Sequence, residues 1–196
     1  TVGLFTYPNR RVIDDGQGLK DEGQFEQETE VFGVSGACPM YRRTALEDIK
    51  VFDEYYDSDF FMYKEDIDIC WRLLLFGWKC FYFPQAVAYH GRGTGVFKRF
   101  SNVEVLKNRS KNSPFQKTFS FRNQRLMQIK NEFITHLLLD FPKLFLKEIL
   151  TVGYMLIKEP RILVKSSWQM FKLIPKMLKK RNYIMKNKKV SSKEMR

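Results

Sequence analysis

The sequence has few of the residues that mark disulfide-rich or zinc-binding proteins. It contains three cysteines, Cys38, Cys70 and Cys80, and two histidines among its 196 residues. No two cysteines form a CxxC pair and their number is odd, so neither a disulfide framework nor a cysteine-based zinc site is indicated. We expect reduced thiols that occupy the interior as small apolar groups, as in a cytosolic protein.

Long uninterrupted apolar runs are also missing. The most apolar stretch, residues 133–157, is interrupted by Asp140, Lys143 and Lys147. A membrane-spanning helix requires about 20 mostly apolar residues, so this stretch does not predict one. The chain opens at Thr1 without a charged or apolar leader segment, and we expect a fragment or processed chain whose natural start lies upstream.

The composition is that of a folded protein with two differently charged halves. Hydrophobic residues make up 44% of the chain and aromatic residues 15%, which excludes a disordered protein. Residues 1–100 carry 12 Lys+Arg and 16 Asp+Glu, whereas residues 101–196 carry 22 and 6. The strongly basic second half indicates a polyanionic partner, either a membrane surface or nucleic acid.

Short apolar and aromatic runs in the first half alternate with helical patterns. Ile67, Cys70, Trp71 and Leu74 recur at helical spacing, and Gly77 stands where a helix-ending glycine is common. Strand, helix and strand in this order predict an α/β layered domain. The predicted strands are "VGLFTY", "FFMY", "WKCFYFP" and "AVAYH", and the predicted helices are "TALEDI", with Thr44 as N-cap and Glu47 completing a capping box, and "KEDIDICWRLLLFG".

The remainder of the chain divides at two further boundaries. Residues 101–118 continue a polar, basic segment and predict a mobile loop, and residues 119–196 predict amphipathic basic helices. Pro142, Pro160 and Pro175 are expected to mark helix starts or kinks. The domain prediction is therefore a first unit at 1–100, a loop and a helical extension.

Three carboxylates, Glu65, Asp66 and Asp68, fall in the first turn of the helix predicted at 64–77. Acidic side chains there complement the helix dipole, and Asp68 can pair with Arg72 four residues later on the helix surface. The alternative is functional, because a carboxylate at a strand-to-helix junction stands where α/β proteins bind ligands and can act as a general base. The residues alone leave both interpretations open.

The glycine-flanked His90 follows the last predicted strand and precedes the polar segment. A lone histidine after an aromatic strand is usually structural, but one at a strand end is also a plausible metal ligand. Both readings of His90 stay open at this point.

A longer constellation resembles a known family. The runs "FGVSGACPMYRRTALEDIKVFDEYY" and "FFMYKEDIDICWRLLLFGWKCFYFPQAVAYH" are similar to the second half of family-two, GT-A-fold glycosyltransferases, with bacterial rhamnosyltransferase-type members the closest in pattern. The resemblance spans residues 31–95, and "RNQRLMQIKN" at 122–131 resembles the helix that follows the catalytic domain. It implies the C-terminal half of a GT-A (Rossmann-like) domain followed by an α-helical, basic extension.

The resemblance also implies a hexosyltransferase reaction. A sugar, with rhamnose as the suggestion, would pass with inversion from a nucleotide-sugar donor to a hydroxyl of a sugar or lipid-linked acceptor, as in cell-surface polysaccharide synthesis. In the Glu-Asp motif the general base falls on Asp66, with Glu65 orienting it or shaping the acceptor site. Gly36, Trp71 and Arg72 fall at acceptor-side positions.

The resemblance also implies a divalent cation, Mg²⁺ or Mn²⁺, bound to the donor diphosphate. His90 matches the position of the histidine that coordinates this cation. The family's nucleotide-binding half, with its Asp-x-Asp metal motif, is not part of this sequence. We therefore expect the chain alone to be inactive and its sheet edge to be exposed. The triplets Asp57-Ser58-Asp59 and Asp66-Ile67-Asp68 do not follow such a half, so neither is assigned the metal role.

Three interpretations remain for the basic helices. They are packed helices with a solvated basic face, amphipathic helices on an anionic membrane surface, or a nucleic-acid-binding unit. No recognition helix or RNP-like motif is present, so no nucleic-acid partner is expected. The favoured prediction is an enzyme at the cytoplasmic face of the cell membrane, and the alternative is a non-catalytic basic module that binds membranes or nucleic acid.

Overall fold

The computed structural model describes residues 1–89 and 102–195, without the side chains of residues 102–105. It contains four short strands and seven helices within these ranges. The strands are β1 (Leu4–Thr6), β2 (Val12–Asp14), β3 (Thr29–Val31) and β4 (Cys80–Tyr82). The helices are α1 (Arg43–Asp48), α2 (Glu65–Leu75), α3 (Asn102–Lys111), α4 (Pro114–Asn131), α5 (Ile134–Leu139), α6 (Phe141–Lys158) and α7 (Pro160–Asn187).

The strands form two separate antiparallel pairs. β1 pairs with β2, and β3 pairs with β4 with Val31 opposite Cys80. The predicted strand "FFMY" is wrong, since Phe61, Tyr63 and Lys64 have φ angles of 57°, 63° and 75°. An extended strand requires negative φ, so this segment turns the chain into α2 instead. Strands β3 and β4 flank α2 in the chain, pair antiparallel with each other, and pack Val31 and Cys80 against the same core as α2. The GT-A fold class stays a prediction.

The predicted central helix is confirmed as α2. It ends at Leu75 with Phe76 as the C-cap, and Gly77 follows with a φ of 81°, the left-handed conformation that glycine adopts without steric cost. The predicted capping box of α1 is wrong. Arg42, not Thr44, is the N-cap and no side-chain cap forms, because Thr44 already lies inside the helix.

The loop predicted at 101–118 is largely helical and needs correction. Residues 102–111 form α3, and residues 114–118 form the first turn of α4. The Ser113 hydroxyl accepts from the Gln116 backbone N–H, the Gln116 side chain accepts from the Ser113 N–H, and Pro114 follows the cap. This capping box and the helix-favouring lysines and arginines outweigh the polarity that favoured a loop.

The helical half and the first half share one hydrophobic core. Leu126 and Met127 of α4 and Met177 and Ile184 of α7 are fully buried in the same cluster as Ile69 of α2. Pro142 and Pro160 mark helix starts as predicted, since they lie in the first turns of α6 and α7. Pro175 lies inside α7, and a kink there stays a prediction. The helices are therefore part of the body that positions α2.

Candidate functional site

Asp66 lies in the first turn of α2 and is held by two backbone N–H groups. The Gly36 N–H donates to Asp66 Oδ2 at 3.2 Å, and the Ile67 N–H donates to Oδ1 at 2.8 Å. A Cβ added at Gly36 would lie 3.3 Å from the Asp66 Cβ, so the two backbones approach closely. The half-exposed carboxylate is thus fixed in orientation while it remains accessible, as a general base requires.

The neighbouring Glu65 is a different kind of carboxylate. Its Oε2 atom is buried and hydrogen-bonds to no described residue. Burial, followed by the negative charge of Asp66, raises the pKa of Glu65. Because the environments of these two adjacent carboxylates differ, one of them can take a proton while the other shapes the site.

The segment before Gly36 is docked against α2 through Cys70. The Val34 N–H donates to Cys70 Sγ at 3.3 Å, and a Cβ at Gly33 would come within 2.6 Å of the Cys70 Cβ. Only glycine allows this approach, and the docking places Gly36 beside Asp66. Cys70 and Cys80 are buried, as predicted for small apolar groups, whereas Cys38 is exposed.

Trp71 and Arg72 are both buried in the interior. Trp71 is buried and meets Phe32 edge-on, with 6.1 Å between ring centroids. Arg72 is fully buried, where it donates to the Ile49 carbonyl at 2.8 Å and to Asp68 Oδ2 at 3.1 Å. The predicted Asp68–Arg72 pair therefore forms, but in the interior rather than on the surface. The acceptor-side role of Trp71 and Arg72 stays a prediction.

Asp68 belongs to a buried ion-pair network that the sequence did not predict. The Lys130 ammonium lies 2.6 Å from Asp57 Oδ2 and 2.7 Å from Asp68 Oδ1, and Asn131 donates to Asp68 Oδ1 at 2.7 Å. Lys180 lies 2.6 Å from Asp57 Oδ1. Burial raises the pKa of Asp57, but the two lysines outweigh it and hold that pKa well below its usual range.

The same network explains part of the basic charge of the second half. Lys180 also contacts Asp59 at 2.8 Å, and Lys176 contacts Asp59 at 2.8 Å, so the first Asp-x-Asp triplet is occupied by lysines. Across residues 1–89 and 102–195, no group of three or more His, Cys, Asp or Glu side chains is placed to hold a metal ion. His90 lies outside the described residues. The described residues alone therefore do not fit the implied cation.

Helix α6 carries exposed apolar side chains on its outer side and a mixture of apolar and charged side chains on its inner side. Leu146, Ile149, Leu150, Leu156 and Ile157 follow one helical face and are exposed, Ile157 to 78%. The opposite face carries the buried Leu144 and Met155 together with the half-buried Lys147 and Glu148. The exposed side of a water-facing helix is normally polar, so the apolar outer face of α6 is unusual.

The neighbouring helices also expose large apolar side chains. These are Ile134 and Leu138 of α5 and Val164, Trp168 and Phe171 of α7. Exposed apolar surface of this kind is typical of a face that contacts a partner or a membrane. None of the helices in the described part of the chain is both long and apolar enough to cross a bilayer.

Comparison with known proteins gives a partial match to one kind of transferase. The chain is 42% identical over 57 residues to the N-acetylglucosaminyl-diphospho-decaprenol L-rhamnosyltransferases of two Mycobacterium tuberculosis strains, CDC 1551 and H37Rv. The match covers 29% of this chain and 17% of each relative. It supports a relationship to glycosyltransferases in general. No protein-family model matches the chain, and no solved structure matches it significantly.

Proposed function

We propose that this chain is the acceptor-side part of an inverting glycosyltransferase that works on a membrane surface. The observation that carries the proposal is the Asp66 carboxylate, accessible at the start of α2 and oriented by the Gly36 N–H. The partial match to rhamnosyltransferases supports sugar transfer as the reaction in which this carboxylate acts. A nucleotide sugar, with rhamnose as the suggested sugar, is the donor, and cell-surface polysaccharide synthesis is the proposed setting.

In the proposed reaction Asp66 takes the proton of an acceptor hydroxyl. The acceptor oxygen then attacks the anomeric carbon from the face opposite the leaving diphosphate, so the configuration inverts. The half-buried Glu65 lies beside it and shapes the acceptor site. Mg²⁺ or Mn²⁺ dependence remains a prediction, because His90 lies outside the described residues and no step is assigned to a cation here.

The proposed acceptor is lipid-linked, since the relatives are named for N-acetylglucosaminyl-diphospho-decaprenol. The apolar outer face of α6 and the lysines beside it, such as Lys143 and Lys158, suit a helix lying in the surface of an anionic bilayer. The corresponding location is the cytoplasmic face of the cell membrane. A non-catalytic membrane-binding module is the second candidate, supported by that same apolar face.

Substitution at Glu65 and Asp66 separates the two candidates. Sugar transfer is measured in a preparation that also contains the expected nucleotide-binding half, either in the same chain or added in trans. A transferase loses its turnover with Asp66→Asn, while Glu65→Gln changes mainly the KM for the acceptor. A membrane module shows no transfer with any variant, yet floats with anionic vesicles.

A further inference from the structure

The chain enters α2 through a loop, residues 60–64, whose backbone is strained. Phe61, Tyr63 and Lys64 have φ angles of 57°, 63° and 75°, and none of them is glycine. A β-carbon is crowded by the backbone in this left-handed region, so bulky residues rarely adopt it. Strained residues of this kind persist only where the surrounding structure holds them in place.

The side chain of Asn123, on α4, holds this loop. Its Nδ2 group donates to the backbone carbonyls of Phe60 at 2.8 Å, Met62 at 2.7 Å and Tyr63 at 2.9 Å. The Asn123 side chain is fully buried, and its two N–H hydrogens serve all three carbonyls. A single amide on a distant helix therefore fixes most of the loop backbone.

Arg122 fixes the orientation of the Asn123 amide. The Arg122 Nε–H donates to Asn123 Oδ1 at 2.9 Å, and its Nη2 donates to the Asp59 carbonyl at 2.7 Å. Because the oxygen of the amide accepts from Arg122, the NH₂ end is the one that faces the loop. Arg122 thus orients the amide and also holds the residue that precedes the loop.

The loop leads directly into the candidate catalytic carboxylates. Lys64, its last residue, is the N-cap of α2, and the Lys64 carbonyl accepts from the Asp68 N–H at 2.8 Å. Glu65 and Asp66 follow as the first two residues of the helix. A change in the loop dihedrals therefore rotates the first turn of α2 and moves Asp66 away from the Gly36 N–H.

We propose that Asn123 is a positioning residue for the Asp66 general base. The proposal rests on the proposed function and deepens it. Asn123 is wholly buried and acts through the loop, not on the substrate. Asn123→Ala should lower kcat about tenfold or more, because a displacement of about 1 Å in a reacting group can cost that much. The KM for the acceptor should change little, since the other acceptor contacts persist.

The test measures sugar transfer in the preparation that contains the nucleotide-binding half. The matched control is Met177→Ala on α7, which removes a fully buried apolar side chain from the core but no hydrogen bond to the loop. Each substitution should lower Tm by about 5 °C or more, so kcat and KM are compared well below both transitions. Asn123→Asp keeps the size of the side chain without its two donors and should lose kcat as well.

Amide hydrogen exchange on the 196-residue chain gives a readout that requires no turnover. Asn123→Ala should speed exchange at residues 62–68 by about tenfold or more relative to the rest of α2, because the first turn of α2 loses its anchored entry. Met177→Ala should show no such selective increase at these residues.

Two results would overturn the positioning role of Asn123. One is an equal loss of kcat in Asn123→Ala and Met177→Ala, and the other is natural exchange at residues 62–68 in Asn123→Ala. Loss of transfer in Asp66→Asn with natural kcat in both Asn123 variants would reject the positioning role and leave the proposed function standing. Natural transfer by Asp66→Asn would instead reject the proposed function.

Discussion

The Lys130 ammonium lies 2.6 Å from the Asp57 carboxylate in the interior, although the two residues are 73 positions apart in the chain. The contact joins the basic helix α4 to the acidic first half, and both side chains are almost wholly buried. A buried pair of this kind contributes little relative to apolar side chains, but losing one partner leaves an uncompensated charge.

Lys130→Met should therefore destabilise the protein by about 3–5 kcal/mol, because Asp57 and Asp68 both lose a cation in the interior. The matched control is Lys176→Met, since Lys176 pairs with Asp59 but is half exposed. That change should cost less than about 1 kcal/mol. Urea unfolding measures both, and equal losses would show that the buried network has no special weight.

The depressed pKa of Asp57 predicts how stability depends on pH. The folded-state pKa lies below the unfolded value of about 3.9, so this group stabilises the fold above that pH. Its contribution should fall as the pH drops below about 4. Other carboxylates add to the decline, so the free energy of unfolding is compared between the natural protein and Asp57→Asn. The variant should show the shallower acid slope, and parallel curves would contradict the assignment.

Two glycines beside α2 should respond differently to alanine. Gly33→Ala places a Cβ 2.6 Å from the Cys70 Cβ and should cost about 1–3 kcal/mol of stability. Gly36→Ala meets Asp66 at 3.3 Å, so we expect a loss below about 1 kcal/mol but a roughly tenfold loss of transfer as the carboxylate shifts. Thermal melting and transfer assays distinguish the two. A Gly36 variant with full activity would remove Gly36 as a positioning residue.

Parts of this arrangement could be predicted from the sequence because their signals are local. The spacing of Ile67, Cys70 and Trp71 and the glycine at 77 predicted α2 within a residue or two of its observed ends. The failed strand at 60–63 has aromatic residues that favour extended structure, but its backbone is set by the turn into α2.

The remaining features depend on contacts between distant residues. Nothing near Lys130 in the sequence indicates Asp57 as its partner, and the pairing of β3 with β4 joins segments about 50 residues apart. Asp68 and Arg72 are buried because α4 and the loop before α2 pack over them. Their four-residue spacing therefore predicted the pair but not its location in the interior. The capping box at Ser113 and Gln116 is a local signal in the sequence for the start of α4.

Membrane binding should depend on the outer face of α6. The double variant Leu146→Glu/Leu150→Glu should weaken flotation with anionic vesicles by about tenfold or more, because two apolar side chains can no longer enter the interface. The control is Met40→Glu, which changes a side chain that is 97% exposed in the first half. If the two variants float equally well, the membrane-binding surface lies elsewhere on the protein. If the natural protein does not bind vesicles, the proposed membrane binding is wrong.

The central claim is that Asp66 is the general base, and the rate of sugar transfer by Asp66→Asn tests it most directly. The assay uses the chain together with its nucleotide-binding half. The control is Asp21→Asn, which changes an exposed carboxylate that is distant from Asp66 in the sequence. The account predicts a loss of about 100-fold or more in kcat for Asp66→Asn, with unchanged folding. Transfer at the rate of the Asp21 variant would contradict it.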